Sequence, residues 1–158
     1  MDKYHFFWQG ILSQWYPSQF KCRRFTYNCC EQWMMAQKAE LFHDYETHDK
    51  IMLTDDPRIQ KNLGRRVKNF DLDLWNIYAR PIVRLGNELK FRQNPQLKEF
   101  LMSTENKILV EASPYDCIWG IGLGEDNPDR FDEAKWRGTN WLGECLMDVR
   151  YSLGMVGN

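Results

Sequence analysis

Hydrophobic residues recur at helical spacings of three and four along most of the chain beyond residue 28. This pattern and its capping residues predict six helices, at 29–42, 44–53, 56–66, 71–93, 94–102 and 139–153. Asn28 stands three residues before Glu31, as in a capping box, and Asp56-Pro57 pairs an N-cap residue with proline at the first helical position. Pro81 lies inside the longest helix, so we expect a kink or a break there.

Short strands are predicted around these helices. Residues 4–28 have the pattern of strands and turns, with an apolar stretch at Phe6-Phe7-Trp8 and a hairpin from Phe20 to Tyr27 that turns at Arg23-Arg24. Residues 107–112, KILVEA, form the clearest strand pattern, and a long loop follows. Because strands do not alternate with helices, we predict a mainly α class. The expected fold is a single compact helical domain with a few short N-terminal strands and one short strand near 107–112.

Composition and charge narrow the functional classes. The 158 residues suffice for one domain with a buried core, and a net charge of −1 argues against extensive binding to a duplex phosphate backbone. No apolar run reaches the length of a membrane span, and the N-terminus lacks a signal-peptide pattern, so we expect a cytoplasmic protein that does not bind membranes. The five cysteines and three histidines lack metal-ligand spacing, so no metal is expected.

Glu31 and Lys38 form the first group with possible chemistry. They lie seven residues apart, close to two helical turns, and therefore on the same side of the helix predicted at 29–42. The rise between them is about 10 Å, too long for a direct salt bridge. One interpretation places the carboxylate and the amine at two ends of a buried site. The alternative is a pair of surface charges at the edges of an amphipathic helix.

The segment 111–122, EASPYDCIWGIG, forms a second group. Glu111 and Asp116 follow the predicted strand beside Trp119, which suits general acid–base chemistry and stacking on a planar base. The alternative is a turn that Asp116 caps. The glycines in and after this segment lack the last glycine of GxGxxG, so a flexible loop is the better interpretation than a dinucleotide-binding turn.

Basic residues form a third group, which is either a phosphate-binding patch or a solvated surface. It comprises Lys21, Arg23, Arg24, Arg65, Arg66 and Lys68. The seven tryptophans leave a comparable choice between filling the core and lining a pocket that stacks on a planar ligand.

Several long blocks together resemble the NADAR family, the YbiA-like proteins, along nearly the whole chain. The most specific blocks are EQWMMAQKA (31–39), NPQLKEFL (94–101), LVEASPYDCIWGIGL (109–123) and WRGTNWLG (136–143). The resemblance implies a largely helical fold and an N-glycosidase activity without metal or organic cofactor. Members act on phosphorylated amino-ribosyl intermediates of riboflavin synthesis or remove ADP-ribose from guanine, in DNA or RNA among other substrates.

The resemblance also assigns roles to residues inside the matched blocks. Lys38 is expected to form a Schiff base with ribose C1, Glu31 to transfer a proton or stabilise a cation, and Asp116 to act as a second acid. The residues of the family pattern that are expected to contact substrate are Trp75, Trp119, Asn140 and Glu111, and the role of Glu111 is either structural or catalytic. Arg23 and Arg24 are also expected to contact substrate, because they are basic and not because the family pattern contains them.

Two positions depart from the family pattern. The hairpin turn is Cys22-Arg23-Arg24 where other members commonly have an acid followed by glycine, which adds either a phosphate contact or a neutral surface change. Gln14 stands where Asn is commoner. The basic hairpin and the WYPSQF segment (15–20) favour ADP-ribosylated guanine as the substrate. A riboflavin-synthesis intermediate and a non-catalytic module that binds ADP-ribose remain the alternatives.

Overall fold

The computed structural model describes residues 3–156 and confirms the mainly α class. Two short 3-10 helices, Pro128–Phe131 and Glu133–Lys135, follow the last strand. The strands are β1 (Tyr4–Phe7), β2 (Phe20–Cys22), β3 (Phe25–Tyr27) and β4 (Ile108–Glu111). The helices are α1 (Cys30–Leu41), α2 (Tyr45–Met52), α3 (Pro57–Gly64), α4 (Leu72–Gln93), α5 (Pro95–Ser103) and α6 (Trp141–Val156).

Two local predictions are wrong. Asn28 does not cap α1: the N-cap is Cys29, and the backbone N–H of Asn28 donates to Oε1 of Gln32 at 2.8 Å. The side chain of Asn28 instead contacts residues outside the helix, donating to the Asp55 carbonyl. The break expected at Pro81 is also absent, because helix α4 continues through this exposed residue. A kink there stays a prediction.

Contacts between Cα atoms divide the chain into two compact units. The first combines the chain up to Ser13 with the chain from Pro95, and the second is Gln14–Asn94. Each unit has its own buried residues. The prediction of a single domain stays a prediction.

The first unit is built on two parallel strands. Residues of β1 pair in register with β4, from Tyr4 with Ile108 to Phe7 with Glu111, and α6 packs against β4. The close packing depends on Gly143, because a Cβ atom there would lie 2.0 Å from the carbonyl oxygen of Leu109. Val110, Ile121 and Leu123 form a buried apolar cluster in this unit.

The second unit is organised around α1. The helix contacts α2, α3 and α4, and every residue from Cys30 to Ala36 is buried. Because these residues span nearly two turns, α1 is buried on all sides over that length. The β2–β3 hairpin also contributes to this unit, and it turns at Arg23, whose φ of 57° lies in the left-handed region.

Two glycines let the neighbouring helices approach α1. A Cβ atom at Gly86 of α4 would lie 2.4 Å from the ring of Trp33, and one at Gly64 of α3 would lie 1.9 Å from the sulfur of Met35. The indole N–H of Trp33 also donates to the carbonyl of Ile82 at 2.7 Å. The large side chains of α1 therefore fill space that only glycine leaves open.

Candidate active site

Helix α1 carries Glu31 in its first turn and Lys38 in its last. Glu31 is only 4% exposed and Lys38 is half-buried, although residues of these types normally lie at the surface. Glu31 is therefore not an ordinary edge charge of an amphipathic helix. That the pair forms the two ends of a buried site stays a prediction.

A hydrogen-bonded chain supports the backbone at Glu31. The amide N–H of Glu31 donates to the carbonyl of Gln14 at 3.0 Å, and the Gln14 side-chain oxygen accepts from Nδ2 of Asn87 at 3.0 Å. Asn87 also donates to the carbonyl of Val83 within α4. The start of α1 is thus tied through Gln14 to α4, so the amide at position 14 has a buried structural contact despite its departure from the commoner Asn.

The amine of Lys38 lies against two aromatic rings. Its Nζ is 4.6 Å from the ring centroid of Phe70 and 5.6 Å from that of Trp75. Burial lowers the pKa of Lys38 below that of an ordinary lysine; the charge of Glu31 opposes this, and that of Arg65 adds to it. A lowered pKa increases the neutral fraction of the amine, which is the nucleophilic form.

Lys90 is a buried lysine that the sequence interpretation did not single out. It has no solvent exposure, and its Nζ lies 5.8 Å from the ring centroid of Tyr16. Burial lowers the pKa of Lys90, and the nearby thiols of Cys30 and Cys29 oppose this. The sequence does contain a signal for the burial of Lys90, because Val83, Asn87 and Lys90 recur at helical spacing on the buried side of α4. Complete burial makes Lys90 a poorer nucleophile candidate than Lys38.

The two thiols at the start of α1 are unsuited to nucleophilic attack. Burial raises the pKa of Cys29 to about 11 and that of Cys30 to about 12. The Sγ of Cys29 donates to Oε1 of Gln60, and that of Cys30 to Oδ1 of Asn87. Protonated thiols with buried partners serve packing, because only the thiolate is a strong nucleophile.

In the other unit, Asp116 caps the turn that follows β4. Its Oδ1 accepts the backbone N–H groups of Ile118 at 2.9 Å and Trp119 at 2.8 Å. The hydroxyl of Ser113 in turn accepts the N–H of Asp116 at 3.1 Å. These bonds support the turn interpretation of this segment, and a role for Asp116 as an acid stays a prediction.

Asn140 joins the start of α6 to β4. Its Oδ1 accepts the backbone N–H of Glu111 at 3.0 Å, and its Nδ2 donates to the carbonyl of Leu109 at 2.9 Å. Asn140 is buried and has a φ of 53°. These contacts give it a structural role, and its contact with substrate stays a prediction.

Glu111 and Trp119 lie in the same part of this unit. A Cβ atom at Gly120 would lie 3.1 Å from Oε2 of Glu111, so the carboxylate lies close to the glycine turn. The half-buried Trp119 ring contacts Trp141 edge-on, with centroids 5.6 Å apart. This contact fits a packing role for Trp119, and stacking on a base stays a prediction.

The predicted site residues therefore fall into two groups by unit. Glu31, Lys38 and Trp75 lie in the second unit, which also holds the exposed Arg23 and Arg24 at the hairpin turn. The first unit holds a separate group: Glu111, Asp116, Trp119 and Asn140. Sequence reasoning missed Phe70, whose exposed ring near a lysine has no distinct pattern along the chain.

Residues 3–156 are the part of the chain that the structure describes. Within them, three or more His, Cys, Asp or Glu side chains do not converge in any place that could hold a metal ion. In the same range, every helix is too short or too polar to cross a bilayer.

Comparisons of the sequence and of the fold with known proteins point to the same family. A model of the NADAR domain matches residues 6–154. The chain is 45% identical to N-glycosidase R617 of Acanthamoeba polyphaga mimivirus, over 94% of this chain and 95% of that one. It is 29% identical to the riboflavin biosynthesis protein PYRR of Zea mays, over 80% of this chain but 20% of that one. The NMR structure of Escherichia coli YbiA has the same fold, with a TM-score of 0.81 at 24% identity, covering 99% of this chain and 88% of that one.

Replacing Arg65 by Gln is expected to raise the pKa of Lys38, because the guanidinium charge is one of the influences that lower it. The pH dependence of Lys38 acetylation, followed by peptide mass spectrometry on the unliganded protein, measures this change. The labelling curve of R65Q should move to higher pH. Arg66→Gln, at the adjacent exposed arginine, is the matched control and should leave the curve in place. A curve for R65Q at or below the wild-type pH would contradict the assignment.

Proposed function

The chain belongs to the NADAR family, and from that premise we propose that it is an N-glycosidase that hydrolyses the bond between ribose C1 and an exocyclic amine nitrogen. The name of the mimivirus relative, N-glycosidase R617, supports the reaction class. The observation that carries the proposal is the position of Lys38. This half-buried lysine lies on the same helix as the buried Glu31, and its amine lies near two aromatic rings.

The proposed reaction begins with the lone pair of the exocyclic nitrogen. This pair opens the sugar by breaking the bond from C1 to the ring oxygen, which takes up a proton. The neutral amine of Lys38 then attacks C1 and loses a proton to the exocyclic nitrogen. The C1–N bond breaks, the base leaves with its amino group complete, and an iminium joins C1 to Nζ. Water finally adds to C1 and releases the sugar and the lysine.

Two features of α1 suit these steps. Burial lowers the pKa of Lys38, which favours the neutral amine that attacks C1. The buried Glu31, which influences the pKa of Lys38, is the group we propose for the proton transfers. Its acid form gives a proton to the ring oxygen, the resulting carboxylate carries a proton from Nζ to the exocyclic nitrogen, and it recovers its own proton from the water that adds to C1. Asp116 stays a second proposed acid.

For the substrate we propose guanine that carries ADP-ribose, in a nucleic acid or a nucleotide. The support is the exposed pair Arg23 and Arg24 at the hairpin turn, since adjacent guanidinium groups suit phosphate oxygens. The second candidate is a phosphorylated amino-ribosyl intermediate of riboflavin synthesis. The name of the maize relative, a riboflavin biosynthesis protein, favours it. Both substrates carry an amine nitrogen on ribose C1, so the same mechanism applies.

Incubation with each substrate tests the activity and the choice between substrates. We expect the wild-type protein to release ADP-ribose from an oligonucleotide that contains ADP-ribosylated guanine, leaving unmodified guanine in the strand. This reaction should be faster than release of the amine from the riboflavin intermediate, with both measured by liquid chromatography. Replacing Glu31 by Gln keeps the shape of the side chain and removes its proton transfer, so the rate should fall by about 10²–10⁴-fold.

Two outcomes would count against these proposals. A faster reaction with the riboflavin intermediate would reverse the choice of substrate and keep the reaction class. If ADP-ribose binds tightly in calorimetry but neither substrate is cleaved, the protein is a non-catalytic binding module and not an enzyme.

Borohydride trapping tests the covalent step. Reduction during turnover should convert the iminium to a stable secondary amine, leaving the mass of the sugar phosphate or ADP-ribose on the peptide that contains Lys38. The Lys38→Met variant should lose both the adduct and the activity. An active wild-type enzyme whose adduct lies on another residue, or that forms none, would assign hydrolysis to the carboxylates alone.

A further inference from the structure

Phe70 and Trp75 lie on either side of the first turn of α4, and the N-cap of this helix explains their positions. Asp71 is the N-cap, and its side chain accepts the N–H of Leu74 at 3.2 Å. Phe70 therefore occupies the residue before the cap and Trp75 the fourth residue of the helix, the two positions of a hydrophobic staple. The sequence around one helix start thus fixes the two rings that lie near Lys38.

The two rings are not simply core residues. Phe70 remains 43% exposed, and its edge contact with Phe42, at 5.3 Å between centroids, holds the ring in place. Trp75 is half-buried. A staple needs only apolar bulk, which Leu or Ile also supplies, whereas aromatic faces around an amine add attraction for positive charge.

The charge on Nζ changes during the proposed reaction. Lys38 attacks as a neutral amine, and the lone pair of its nitrogen later expels the base, so positive charge develops on the iminium that joins Nζ and C1. This charge lies at Nζ, which is 4.6 Å from the ring centroid of Phe70 and 5.6 Å from that of Trp75. An interaction that is stronger with the cation than with the neutral amine accelerates the step that forms the cation.

We propose that Phe70 and Trp75 are further catalytic residues, whose ring faces stabilise the iminium formed between Lys38 and ribose C1. This inference rests on the proposed function, because it requires the covalent step at Lys38. It assigns the aromatic residues to the cation and not to stacking on the leaving base. The effect is consequently the same for both candidate substrates.

Replacing Phe70 by Leu tests the inference, because Leu keeps the apolar bulk of the staple and removes the aromatic face. At pH values where Lys38 is neutral, kcat of F70L should fall by about 2- to 30-fold, the range of one cation–π contact. The amount of borohydride adduct should fall with it, and KM should change little for either substrate. Because the ring face also favours protonated Lys38, the rising limb of the pH profile should move to lower pH while its plateau falls.

Control variants separate this effect from loss of structure. Phe70→Tyr keeps a ring face and should stay within about twofold of wild type, because tyrosine also attracts cations through its ring. Phe131→Leu removes a ring of similar exposure in the other unit and should leave kcat unchanged. If F70L does not fold, 3,4,5-trifluorophenylalanine at position 70 weakens the negative ring face without changing its shape, and the same fall in kcat is expected.

The possible outcomes distinguish a failure of this inference from a failure of the proposed function. A wild-type protein that cleaves neither substrate contradicts the proposed function itself. Cleavage without an adduct on Lys38 leaves the hydrolase and overturns the inference. With the adduct present, an unchanged kcat and pH profile for F70L or the fluorinated protein also overturns it. A rise in KM for the guanine substrate alone would assign Phe70 to base stacking and contradict the proposed role.

Discussion

The burial of α1 on all sides is the constraint on which the second unit depends. A surface helix can place charges on its exposed side, but the stretch from Cys30 to Ala36 has no exposed side. Glu31 is therefore held in a setting where a charge loses its hydration, and such a group persists only where the surrounding structure compensates or the function requires it. The glycines at 64 and 86 permit this burial, because they admit Met35 and Trp33 between the helices.

Both ends of α1 have contacts with α4 or with the residues at its start. Its first turn is tied to α4 through Gln14 and Asn87, and its last turn brings Lys38 to the staple residues at the start of α4. Helix α4 thus supports both ends of the proposed site with different parts of its length. Partial burial lowers the pKa of Lys38, while the nearby aromatic faces suit a cation at the same nitrogen. An amine that attacks as a neutral group and then becomes an iminium needs both properties.

Local signals in the sequence predict much of the fold. Asp44, Asp56 and Asp71 accept backbone N–H groups at the starts of their helices, and KILVEA contains β4. Asn28 was misassigned because its side chain bonds to groups distant in sequence, which no local pattern reveals. Helical spacing placed Glu31 and Lys38 on one side of α1 but left their burial open, since burial is decided by α2, α3 and α4. The family resemblance, not the spacing, pointed to this pair, and neither pointed to Phe70 or Lys90.

The most direct test of the account is a double-mutant cycle on Glu31 and Lys38, with single-turnover rates measured for E31Q, K38M and the double variant. If both residues act on the same glycosidic bond, the double variant should lose about as much rate as the worse single variant, because residues that act as a unit are strongly non-additive. Melting temperatures of the three variants show whether each remains folded. Losses that multiply, or a single variant with the wild-type rate, would contradict the claim that α1 carries one catalytic pair.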